Sequence, residues 1–94
     1  MIVPLDDRAF ATSRVLRKDL GDEAILLDLA TETYFGLNAV GNRLFELLTT
    51  APSIRHALSA LAAEYDVPAG ELERDARALI DELVERGLLR IGSA

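Results

Sequence analysis

The spacing of apolar residues changes once along this chain, from every second position to every third or fourth, and the change falls just after Leu37. Before it, Val15-Leu16-Arg17 is a short candidate strand followed by the turn-like Asp19-Leu20-Gly21-Asp22. Ala24 to Leu29 is a stronger candidate, with Ile25, Leu27 and Leu29 on one face at period two. Beyond the brief connection Ala30-Thr31-Glu32, the stretch Thr33-Tyr34-Phe35-Gly36-Leu37 is rich in residues that suit a pleated surface. Connections this short join antiparallel neighbours, so the pattern predicts a three-stranded meander.

From Asn38 onward the period is helical. Asn38 is a good N-cap, and the helix behind it carries Val40, Leu44, Leu47 and Leu48 on one stripe with Phe45 beside them. Thr50-Ala51-Pro52-Ser53 ends that helix and starts the next, with Pro52 suited to a first turn. Ile54, Ala57, Leu58, Leu61, Ala62 and Tyr65 then mark an amphipathic second helix, broken at Asp66-Val67-Pro68. A third helix over about Glu71 to Arg86 buries Leu72, Ala76, Leu79, Ile80, Leu83 and Val84. Gly87 suits its C-terminal stop, and Leu88-Leu89-Arg90-Ile91 leaves as an extended apolar tail. The expected fold is therefore α+β: a three-stranded antiparallel sheet followed by three helices, winged helix-turn-helix-like, over residues 13–91. Residues 1–12 are expected to be loosely held.

Composition narrows the function classes. Ninety-four residues, half of them hydrophobic, suffice for one core and not two. There is no cysteine, which excludes thiolate metal sites and cysteine nucleophiles and fits a reducing cytoplasm, the location expected. No apolar run approaches the ~18 residues a membrane span requires, and Met1 to Asp7 has no basic flank or long apolar run to make a signal peptide. The net charge of −6 works against nonspecific binding to phosphate backbones and to anionic membrane surfaces. A peptide, a protein or a small molecule is the better partner; no nucleic acid and no membrane are expected.

Candidate chemistry is sparse. The single histidine, His56, has no second histidine or cysteine with which to share a metal, and a solvated surface side chain is the better reading. The acidic pairs Asp6-Asp7, Asp22-Glu23 and Asp81-Glu82 match no calcium loop, and adjacent residues on a helix do not face each other. The glycines form no phosphate-cradling pattern. Serines 13, 53, 59 and 93 have no evident neighbouring base. Neither catalysis nor a cofactor is expected. A winged-helix DNA-binding role is disfavoured because the third helix has a net charge of −3, the wrong sign for phosphates. An acyl-carrier role fails for want of an Asp-Ser-Leu tripeptide.

Tyr34-Phe35-Gly36-Leu37-Asn38, followed by Gly41, the apolar pair Leu44-Phe45 and Glu46-Leu47-Leu48, resembles the PqqD family. These are the chaperone-like proteins of pyrroloquinoline quinone biosynthesis and the wider group of recognition elements for ribosomally made, modified peptides. The closing Leu83-Val84-Glu85-Arg86-Gly87-Leu88-Leu89 resembles the same family, and the likeness runs from about Val15 to Ile91. It implies a non-enzymatic module that binds the leader of a precursor peptide. As a chain without a fused enzyme, it is most similar to the leader-binding protein of lasso-peptide systems. There it would work with a transglutaminase-like leader peptidase and an ATP-dependent macrolactam synthetase. A PqqD-like partner of a radical-SAM enzyme is the alternative within the family, and a small winged-helix regulator is the alternative outside it.

The resemblance also implies a mode of binding: the leader lies antiparallel to the third predicted strand, in the groove between that strand and the third helix. The backbone of Glu32, Thr33, Tyr34, Phe35 and Gly36 is then expected to pair with it. The side chains of Phe35 and Leu37 face the core, while Tyr34 faces the other way. On the third helix, Asp75, Glu82 and Arg86 form one shoulder of the apolar stripe and Glu73 with Arg77 the other. Leu72, Asp75, Leu79 and Glu82 are expected to line the groove. Lasso leaders carry a Tyr-x-x-Pro pattern, and Asp75 is placed to accept a hydrogen bond from such a tyrosine hydroxyl.

Overall fold

The structure, a computed structural model, describes residues 3–66 and 68–92. Three predicted strands and three predicted helices are present: β2 (Val15–Leu20), β3 (Glu23–Asp28), β4 (Thr33–Leu37), α1 (Ala39–Thr50), α2 (Ile54–Tyr65) and α3 (Ala69–Glu85). The pattern did not announce a second, two-stranded sheet, in which β1 (Arg8–Ala11) pairs antiparallel with β5 (Leu89–Gly92). This pairing lies within the stretches read as a loose N-terminal segment and an extended tail. Val3, Ala9, Leu88 and Leu89 are buried in the core beside it. Met1, Ile2, Val67 and Ser93 lie outside the described residues.

The larger sheet has the order β2-β3-β4, so β4 is an edge. Its register sets Leu26 opposite Arg17 and Phe35, and Leu27 opposite Leu16 and Tyr34. The first of these rows faces the helices and the second faces away. The structure settles which face of the middle strand is buried. Ala24, Leu26 and Asp28 are the buried positions, while Ile25 and Leu27 are half-buried on the outer face and Leu29 lies exposed past the strand end. An aspartate is tolerated inside because its partners are local, as described below.

Capping side chains set the helix starts. Asn38 Oδ1 accepts the Gly41 N–H at 2.8 Å, and Ser53 Oγ accepts the His56 N–H at 3.2 Å. Pro52 therefore precedes the N-cap of α2 and is not in its first turn. α3 begins two residues earlier than its apolar period suggests, behind Pro68, which has no side-chain acceptor to offer. It ends in a Schellman motif: Gly87, at φ +74°, donates to the Val84 carbonyl at 3.0 Å, and Leu88 donates to Leu83 at 2.9 Å. The core joins Leu26 and Leu37 of the sheet to Leu44, Phe45 and Leu48 of α1, Ile54, Ala57 and Leu61 of α2, and Ile80 and Leu83 of α3.

Candidate functional site

The open edge follows from the hydrogen-bond parity of the sheet. Leu29 N–H donates to the Arg14 carbonyl at 2.8 Å, extending the β2–β3 ladder one pair beyond Val15 and Asp28. Bonded and non-bonded pairs alternate in an antiparallel ladder. Ile25 and Leu27 therefore turn their backbone groups toward β2, and Ala24, Leu26 and Asp28 turn theirs toward β4. Their partners Leu37, Phe35 and Thr33 complete that ladder. Tyr34 and Gly36 are left with N–H and C=O groups aimed outward, and no other described strand covers them.

Beside this edge lies an open cleft of about 440 Å³ between β4 and α3. Its floor is apolar: Phe35, Leu37, Val40, Leu44, Leu61 and Ala76. Leu72, Asp75 and Leu79 of α3 form one wall and the Gly36 backbone the other. The absence of a side chain at Gly41 brings the first turn of α1 close to this wall. A Cβ there would sit 3.2 Å from Asn38 Oδ1 and 3.4 Å from Leu79 Cδ2. Asp75 is the one charged residue lining the cleft, and it has no hydrogen-bond or ion-pair partner among the described residues.

A second, more polar recess continues the groove toward the start of β4, lined by Arg14, Asp28, Thr31, Thr33, Tyr34, Phe35, Arg86 and Leu88. Asp28 organises it. Though only 4% exposed, its carboxylate accepts from Arg14 Nη2 at 2.6 Å and Nε at 3.2 Å, and from the Ala30 and Thr31 N–H groups at 3.0 and 3.4 Å. The Arg14 hydrogen bonds, helped by those backbone donors against the cost of burial, hold the Asp28 carboxyl down at about 2. The same contact raises the Arg14 guanidinium above its already high value. The pair fixes the tight β3–β4 connection, in which Glu32 takes a left-handed conformation at φ 59° and donates to the Asp28 carbonyl.

The predicted site residues fall into two groups. Phe35, Gly36, Leu72, Asp75 and Leu79 come together around the apolar cleft, and Thr33 and Tyr34 lie along the same edge by the polar recess. Tyr34 is 73% exposed on the outer face, whereas Phe35 is half-buried and Leu37 buried, as alternation requires. Glu32 sits in the turn and Glu82 is exposed on α3, and neither lines the groove. Arg86, one turn further along at the C-cap of α3, lines the groove where Glu82 was expected to. Of the two helix shoulders, Asp75 faces β4 and Glu73 faces α2, where it neighbours Arg55 and Ser59. One expectation about chemistry also needs correction. Ser53 does have a neighbouring base, since its Oγ lies 2.6 Å from His56 Nδ1. That contact belongs to an exposed helix cap, and among the described residues no third group orients the ring. Among the described residues no cluster of three metal-ligating side chains occurs, and no helix is long and apolar enough to cross a membrane.

Apart from Arg14, the residues that line the groove lie within a stretch that matches known proteins. The profile of the PqqD family, coenzyme PQQ synthesis protein D, matches residues 23–89, from the start of β3 to the first residue of β5. The chain belongs to the PqqD family. Its match includes β4, the cleft and the whole of α3, and leaves β1 and β2 outside. Among solved structures, TbiB1 in complex with the TbiA(beta) leader peptide is similar, with a TM-score of 0.79 and 38% identity over 90% of this chain and 98% of that one. Comparison with curated proteins gives no match.

Proposed function

We propose that this PqqD-family protein binds the leader of a ribosomally synthesised precursor peptide as an added strand on β4 and presents it to a partner enzyme. One observation carries the reading: the outward backbone groups of Tyr34 and Gly36 run beside an open apolar cleft. Backbone pairing supplies affinity that tolerates sequence change, and the cleft selects the side chains that alternate toward α3. The likeness to TbiB1, a structure held with a leader peptide, supports this reading from outside the chain. The finer part of the proposal assigns the protein to lasso-peptide biosynthesis. The receiving enzyme is then a transglutaminase-like leader peptidase, with a macrolactam synthetase acting afterwards. Overall resemblance along the chain supports that assignment.

The expected affinity is near micromolar, about −8 to −9 kcal/mol. Titration of the fluorescently labelled TbiA(beta) leader, and of any precursor leader found encoded beside this chain, tests the proposal by anisotropy. Saturable binding below about 10 μM for the neighbouring leader is the expected result. Absence of binding by the folded protein at tens of micromolar would overturn it. For the finer part, pull-down and cleavage assays with the neighbouring peptidase should show leader removal that accelerates in the presence of this protein.

A further inference from the structure

The groove beside β4 changes sign along its length. At its Gly36 end the charged wall residue is Asp75; at its Thr33 end it is Arg86. The Arg86 guanidinium carbon lies 5.1 Å from the centroid of the Phe35 ring, so the cation rests on the aromatic floor that both recesses share. Neighbouring Arg14 is already committed to Asp28. No carboxylate of the described residues pairs with Arg86, although the chain carries sixteen Asp and Glu against ten Lys and Arg. The backbone at Arg86 is held in place, because the Schellman motif at Gly87 and Leu88 closes directly behind it.

We propose that Arg86 is a subsite for an acidic side chain of the bound leader, on the same face as the residue that fills the apolar cleft and two or four positions along from it. This deepens the leader-binding reading and rests on it. The spacing follows from the pleat. On a strand added to β4, the side chains opposite Thr33, Phe35 and Leu37 point toward α3, and alternate residues stand about 7 Å apart. A residue opposite Leu37 or Phe35 enters the apolar cleft, and one opposite Thr33 arrives at Arg86. A planar guanidinium resting on a ring keeps its edge free for a carboxylate, and Arg matches that group with two parallel donors. A basic residue at the same leader position would meet a bare cation, and an apolar one would leave it unpaired. The groove thus reads charge at one end and apolar bulk at the other.

The test uses random twelve-residue peptides displayed on yeast and selected on the full chain, on Arg86→Glu and on Gly36→Pro. Gly36→Pro identifies peptides that use the β4 edge, since these are lost from its pool. Among them, the unaltered protein is expected to enrich Asp or Glu two or four positions from an apolar anchor. Arg86→Glu is expected to enrich Lys or Arg at that position, and Arg86→Lys to retain the acidic preference. A selected acidic peptide should bind Arg86→Ala about three- to tenfold more weakly, with the melting temperature unchanged. Edge-dependent peptides with an anchor but no acidic preference, or a preference that survives Arg86→Glu, would overturn the subsite and leave leader binding standing. Failure to enrich any peptide that Gly36→Pro excludes would overturn both.

Discussion

Replacing Gly36 by proline separates the binding edge from the folded sheet. The Gly36 N–H points away from β3, so proline there removes no hydrogen bond from the free protein. Space is available too, since a Cβ at Gly36 meets nothing within 4 Å. Proline also restricts the unfolded chain, which offsets part of any backbone strain, and the expected change in stability is within about 1 kcal/mol. In the complex the effect is larger. One intermolecular hydrogen bond is lost, worth about 1 kcal/mol, and the leader carbonyl that faced it is left without a donor, a further ~1–2 kcal/mol. The sum of about 2–3 kcal/mol is a 30- to 150-fold rise in Kd. Phe35→Pro is the contrast: its N–H serves the β3–β4 ladder and its ring floors the groove, so it should cost ~3 kcal/mol or more of stability. Thermal melts followed by circular dichroism, paired with anisotropy titrations of a labelled leader, read both quantities. The parity argument fails if Gly36→Pro destabilises the fold as much as Phe35→Pro does, or if it leaves Kd within twofold of the unaltered protein.

Three further outcomes are expected. Leu79→Ala, in the half-buried wall of the cleft, should weaken leader binding by about 1–2 kcal/mol, a five- to thirtyfold change measurable in the same titration. Gly87→Ala places a Cβ at positive φ and 2.8 Å from the Arg14 guanidinium, so it should cost ~1–2 kcal/mol and lower Tm by roughly 5–10 °C. The Asp28 carboxyl lies at about 2 when folded, below its ordinary 3.8. Its contribution is therefore fully present above about pH 4 and lost as pH falls toward 2. Urea melts should show the stability gap between the unaltered protein and Asp28→Asn narrowing across that interval, and a constant gap would contradict the assignment.

Much of the groove was legible because it depends on local pattern. The run Thr33 to Leu37 alternates cleanly, so the exposure of Tyr34 and the burial of Leu37 follow from period two alone. The capping side chain of Asn38 and the glycine at the end of α3 likewise act within one helical turn. What was hidden depends on partners distant in sequence. Ile25, Leu27 and Leu29 look like a core face until Arg14, fourteen residues before Asp28, neutralises a carboxylate on the opposite one. β1 is only four residues long, too short to read as a strand by its own pattern, and it is recognised by its pairing with β5 at the other end of the chain. On α3 the periodicity defines two polar shoulders equally well. Only the packing of the helix directs Asp75 and Arg86 toward β4 and Glu73 toward α2.

Strand addition on β4 is tested most directly by amide hydrogen exchange, read residue by residue with NMR, on the free protein and on its complex with the leader. In the free protein the Phe35 amide, bonded to β3, should exchange slowly, while those of Tyr34 and Gly36 exchange fast. With saturating leader, Tyr34 and Gly36 should become protected to about the same degree as Phe35. A leader that binds tightly yet leaves both amides exchanging at their free rates would contradict the account.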